Sequence, residues 1–250
     1  MLLITQLFLA HIIGDFYFQP DRWIDDKKAK KWASIYLYLH ALIHFLLAWL
    51  FSFDVYAWPI ALIIAITHLI IDGLKLQFTI EENKNKLFFY DQLMHVTVIF
   101  MTGLLWLWSK GDNSMLFKYT ASFAGFKLLY LAGVGVIFLI MPASYIIQNA
   151  VEPFNIAVDN KEKAGQKPDT LPKAGQVIGI LERLMIFVFI LIGQWQAVGF
   201  LLAAKSIFRF GDLTNPQQRQ MTEYVLIGTM LSFGLSIITG LAVTYLNAHF

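Results

Sequence analysis

Residues Trp58–Thr79 read WPIALIIAITHLIIDGLKLQFT. The only charged residues in this stretch are Asp72 and Lys75, and both sit in its second half. A helix crosses about 30 Å of hydrocarbon with about 20 mostly apolar residues, so the stretch reads as a transmembrane helix. It is too long and too evenly apolar for a barrel strand, which takes about 10 alternating residues. The rest of the 250-residue chain agrees: 58% of it is hydrophobic and 14% is charged. Soluble domains carry about 25% charged residues.

Six more runs pass the same test: Leu2–Gln19, Ser34–Phe53, Phe88–Trp108, Lys127–Val151, Gln176–Leu202 and Met221–Leu246. The expectation is an all-α polytopic bundle of about seven helices with a four-helix N-terminal core at residues 1–110. An interfacial segment and fifth helix (111–151), a cytoplasmic linker (152–175) and a two-helix segment (176–250) follow. The first run has no basic leader and carries His11 and Asp15, so it reads as a retained helix and not a signal peptide. No cysteine is present, which removes thiolate metal sites and disulfides. A net charge of +2 gives no case for nucleic acid.

Lys and Arg set the expected orientation. Arg22, Lys27, Lys28, Lys30, Lys31, Lys84, Lys86, Lys161, Lys163, Lys167 and Lys173 fall on one side, eleven in all. Lys110, Lys118, Lys205, Arg209 and Arg219 make five on the other. The N-terminus is expected outside and the C-terminus in the cytoplasm. The lysines between Asp21 and Lys31 interleave with Asp21, Asp25 and Asp26 and read as a solvated, salt-bridged loop.

Within Trp58–Thr79, His68 and Asp72 stand four residues apart, and three other spans repeat the device. The pairs are His11/Asp15 in HIIGD, His40/His44 in HALIH, His68/Asp72 in HLIID and Asp91/His95 in DQLMH. Spacing by four puts both side chains on one helix face. Each helix then offers two donors to a common point, as bundle proteins do to hold metals. Three unpaired Asp at helix centres would cost roughly 8–10 kcal/mol on insertion scales. Five neutral imidazoles and three carboxylates can instead hold divalent ions, up to two with a bridging hydroxide. Nitrogen and oxygen donors without sulfur suit zinc, manganese, iron or nickel. Lys75 and Gln92 adjoin the pairs and are candidates to support the site or meet substrate, as are Glu182 and Arg183 at the same expected depth. Lys205 and Arg209 are expected on the opposite side, with Glu223 as their counter-ion.

The blocks LFLAHIIGDFYFQ, HALIH, HLIIDGLK and DQLMH resemble DUF3307, a family of bacterial membrane proteins, over roughly the first 110 residues. A fainter similarity is to LexA-regulated, membrane-bound metal-dependent hydrolases. The first resemblance implies a bacterial inner membrane and brings no established activity; the second implies metal-dependent hydrolysis. The leading functional reading is an integral-membrane, metal-dependent hydrolase acting on a lipid-like or phosphoester substrate near the cytoplasmic leaflet. Its partners would be the bilayer and a lipid-derived substrate. The rival is a divalent-metal or proton-coupled transporter using the same His/Asp cluster.

Overall fold

A computed structural model describes residues 2–110, 126–154, 174–208 and 219–249. Every regular element among them is helical. Among the described residues six helices are long and apolar enough to cross a membrane, or seven if one sharply bent pair counts as a span. The chain is a multi-pass membrane protein of all-α class. It divides into two units, the first ending at Tyr130 and the second running Leu131–His249.

The first unit begins with α1 (Leu2–Phe16), whose 15 residues reach only about 22 Å. The expected span Leu2–Gln19 is therefore cut short. The N–H groups of Tyr17 and Phe18 both close on the Ile13 carbonyl, and Pro20 has no N–H to continue a helix. The chain then turns by 80° into a second helix, α2 (Asp21–Lys30). Thus the expected solvated loop is a docked helix. Trp23 stacks on Tyr36 with ring centroids 5.2 Å apart. The Asp26 carboxylate accepts from Lys30 Nζ at 2.5 Å and from Ser34 Oγ at 2.6 Å. A Cβ on Gly73 would collide with the Trp32 ring, so only glycine allows that ring to lie against the next helix but one.

Three long helices complete the unit: α3 (Ile35–Ser52), α4 (Trp58–Phe78) and α5 (Lys84–Lys110). Helix α3 packs on α4 and α1, and α5 on α4 and α1. Each presents one stripe at a spacing of four: 3, 7, 11, 15 on α1; 40, 44, 48 on α3; 60, 64, 68, 72 on α4; and 91, 95, 99 on α5. At one end of the bundle the stripes are apolar, and Leu3, Leu7, Ala48, Ile60, Ile64 and Ile99 form a buried core. At the other end the same stripes become histidine and aspartate. Leu42, Leu46, Ile63, Ile66 and Leu105 face outward and are exposed, as lipid-facing side chains are.

The second unit takes in α6 (Lys127–Ile140), most of which lies beyond the division, and α7 (Pro142–Val151), together one membrane-length segment. It also holds α8 (Ala174–Leu191), α9 (Trp195–Phe208) and α10 (Arg219–His249). The division therefore falls ahead of the expected linker, because α7 packs on α8 and α10. Most of that linker, and the expected interfacial segment 111–125, lie outside the described residues.

The expected single span Gln176–Leu202 is two helices. Gly193, at φ +73°, ends α8 in the left-handed conformation. The Gln194 N–H closes on Phe189 O at 2.7 Å and the Gly193 N–H on Ile190 O at 3.1 Å. This is a Schellman turn. Helix α9 then returns along α8, burying Val198 with Ile186, Ile190 and Phe233.

A buried histidine and aspartate cluster

Four helices of the first unit deliver the eight paired residues to one place. Asp15 is the hub. Its Oδ1 lies 3.2 Å from His40 Nε2, 3.0 Å from His44 Nε2 and 3.4 Å from His68 Nε2. Its Oδ2 lies 3.7 Å from His11 Nε2. The imidazoles pack face to face: His44 and His68 centroids are 3.7 Å apart, and those of His68 and His95 4.0 Å. Asp91 Oδ1 is 3.3 Å from His95 Nε2, and Asp72 Oδ1 is 3.9 Å from the same atom. Close approach of α1 and α3 depends on Gly14, where a Cβ would stand 2.5 Å from His44 Cε1.

In each of three groups the donor atoms lie within 4.8 Å of one another: His11, Asp15, His44 and His68; His40, His68 and Asp72; and Asp72, Asp91 and His95. Ligands about 2.0–2.1 Å from a shared ion stand roughly 3.0–3.4 Å from each other, the edge of an octahedron or tetrahedron. The separations around Asp15 Oδ1 match that spacing. Moreover, His11 Nε2, His68 Nε2 and His95 Nε2 are buried and have no hydrogen-bond partner among the described residues. Buried polar atoms are rarely left so. This donor set fits a divalent cation.

Two of the supporting candidates are in the cluster. Lys75 Nζ donates to Asp91 Oδ2 at 2.7 Å. Gln92 Nε2 donates to Asp15 Oδ2 at 3.0 Å and to Asp91 Oδ2 at 3.2 Å, bridging two carboxylates. The other two, Glu182 and Arg183, are buried in the second unit with partners of their own. Arg183 donates from Nε to Leu139 O at 2.8 Å, from Nη2 to Ser144 Oγ at 2.5 Å and from Nη1 to Ser232 Oγ at 3.4 Å. Lys205 Nζ donates to the Glu182 carboxylate. That pairing corrects two expectations, since Lys205 lies level with Glu182 and takes it, in place of Glu223, as counter-ion. The turn at Gly193 is the reason. Arg209 lies outside the described residues.

One residue of the cluster was missed. Lys27, on α2, is buried and its Nζ donates to Asp72 Oδ2 at 3.0 Å. In sequence it is one lysine in the run DDKKAKK, and only the 80° turn aims it inward. Pro20 was the available signal, since it breaks the helix ahead of Trp23, Ile24 and Lys27.

Residues 3–124, which carry the whole cluster, match the family model described as protein of unknown function (DUF3307). These residues form a DUF3307 region. The match takes in α1 to α5 of the DUF3307 region, α2 with Lys27 included, and leaves α6 to α10 outside it. No curated protein and no solved structure matches the chain.

Proposed function

We propose that this chain is an integral-membrane, metal-dependent hydrolase acting on a lipid-like or phosphoester substrate at the cytoplasmic leaflet. The observation that carries the reading is a set of buried imidazole nitrogens without a hydrogen bond among the described residues, those of His11 and His68 on the Asp15 hub and that of His95 beside Asp91 and Asp72. A divalent ion held there would polarise an ester or phosphoester oxygen and lower the pKa of a bound water. The chain's own residues do the rest. Asp15 and the imidazoles around it would hold the ion, with zinc, manganese, iron or nickel all compatible with these donors. Gln92 fixes the Asp15 and Asp91 carboxylates relative to each other. Asp91 Oδ1 has no hydrogen bond among the described residues and is placed to take a proton. Lys75, with its side chain 30% exposed, is the ammonium nearest an entering anionic headgroup.

Placement near the cytoplasmic leaflet rests on charge. Arg22, Lys28, Lys30, Lys31, Lys84 and Lys86 all lie at the cluster's end of the first unit, and cytoplasmic ends carry the excess of basic residues. In a bacterium the membrane would be the inner one. A transporter would need a polar route past Leu3, Leu7, Ile60 and Ile64, which are buried and apolar. That supports an enzyme over a conduit.

The test uses the full chain in proteoliposomes with Zn²⁺ or Mn²⁺. Hydrolysis of a phospholipid and phosphomonoester panel, abolished by chelator and lowered at least about 100-fold in His68→Ala, is expected. Metal-dependent flux of Mn²⁺ or protons without any turnover would overturn the reading.

A further inference from the structure

The three donor groups are not equivalent, and their lysines separate them. Asp72 holds the Lys27 ammonium at 3.0 Å and Asp91 holds the Lys75 ammonium at 2.7 Å. Among the described residues Asp15 holds no ammonium; imidazole nitrogens and the Gln92 amide approach it. Two of the three carboxylates are thus paired with an ammonium, and Asp15 is the one left to meet a cation, in a place where uncompensated charge is costly.

We propose that the cluster holds a single divalent ion, on His11, Asp15, His44 and His68, and that the Lys27 ammonium fills the position a second cation would take beside Asp72. This rests on the metal reading above and assigns its ligands and its stoichiometry. Geometry supports the assignment at both places. Around Asp15 the nitrogen-to-oxygen separations of 3.0 and 3.4 Å to His44 and His68 match ligands sharing one ion. His11 Nε2 stands 3.7 Å from the other carboxylate oxygen, lacks a hydrogen bond among the described residues and joins the same group within 4.8 Å, whereas His40 Nε2 is hydrogen-bonded to Asp15. Beside Asp72, the group formed with His40 and His68 has the donors for a cation, and Lys27 Nζ is already there. Lys27 is able to fill it because α2 docks through the Trp23–Tyr36 stack and the Trp32 contact at Gly73. His40 reaches toward both carboxylates, at 3.2 Å from Asp15 and 3.9 Å from Asp72, and so positions the hub next to the lysine-filled place. Lys27 is a positioning residue in this scheme, not a ligand.

The experiment is equilibrium dialysis of the full-length protein in nanodiscs against Zn²⁺, and separately Mn²⁺, with metal counted per chain. Wild type is expected to saturate at one ion. Asp72→Asn should keep that ion within about 10-fold of its affinity, whereas Asp15→Asn should weaken it at least about 100-fold. Lys27→Met keeps the apolar stem but not the charge, and should admit a second ion. Co²⁺ absorption reports the ligand field independently and should change in Asp15→Asn but not in Asp72→Asn. Should Asp15→Asn fail to fold, as judged by circular dichroism, the wild-type count together with Asp72→Asn and Lys27→Met still decides the matter. Two ions in wild type, equal losses in the two aspartate variants, or a single ion in Lys27→Met would overturn this inference while leaving the metal reading standing. No bound ion in wild type would overturn both.

Discussion

Gly14 shows how much of the site depends on one missing methyl group. A Cβ at this position would stand 2.5 Å from His44 Cε1 and 2.7 Å from its Nε2. The ring would have to leave its place beside Asp15, and overpacking of this kind costs about 1–3 kcal/mol. Gly14→Ala should therefore lower Zn²⁺ affinity at least about 10-fold while circular dichroism stays unchanged; an unaltered dialysis isotherm would refute the packing claimed here. The histidines themselves were legible in the sequence. Asp or His at a spacing of four inside an apolar run is costly unless partnered, and four helices repeat the device. Lys27 was not legible in the same way. Nothing in its own neighbourhood separates it from Lys28 and Lys30, because what buries it is a change of direction seven residues earlier, at Pro20.

Helices α2 and α9 are where hydropathy misled, for a common reason. A run of apolar residues reports that a segment is buried in lipid or protein but not which way the chain is heading. The segment Gln176–Leu202 is continuous in composition, yet Gly193 at φ +73° reverses it. Because side chains other than glycine are strained at that φ, Gly193→Ala should destabilise the second unit by about 1 kcal/mol, read as a lowered melting temperature. The returning helix places Lys205 on Glu182. Lys205→Met strands a largely buried carboxylate and should cost about 3 kcal/mol or more, with most of it recovered in the Lys205→Met/Glu182→Gln double variant. If the two substitutions simply add, the pair is not coupled. For α2, Gly73→Ala drives a methyl into the Trp32 ring. Hydrogen exchange over residues 21–33 should then quicken, while residues 35–50 keep their protection. Equal protection in the variant would mean that α2 is held by other contacts.

At the scale of the molecule, the first unit is ordered along its helices, apolar core at one end and chemistry at the other, and this follows from four stripes that change character at matching heights. The cysteine-free chain makes the polarity of that arrangement directly measurable. Single cysteines at exposed Lys28 or Glu82, at the cluster's end, should react with an impermeant maleimide only from the cytoplasmic side. A cysteine at exposed Val55, at the other end, should react only from outside. The reverse pattern would put the cluster in the outer leaflet and remove the argument from basic loops. The membrane class, the first four long helices and the eight donors could all be read from the sequence, since each leaves a periodic or compositional trace. The return at Gly193 and the tilt at Pro20 depend on single backbone positions, and they decide which side chains meet. Whether these donors hold a cation is read from X-ray absorption at the metal edge of the Zn²⁺-loaded, full-length protein. A nitrogen and oxygen shell at about 2.0–2.1 Å with imidazole multiple scattering and no sulfur is expected. A spectrum of hydrated, loosely associated metal without imidazole scattering would contradict it.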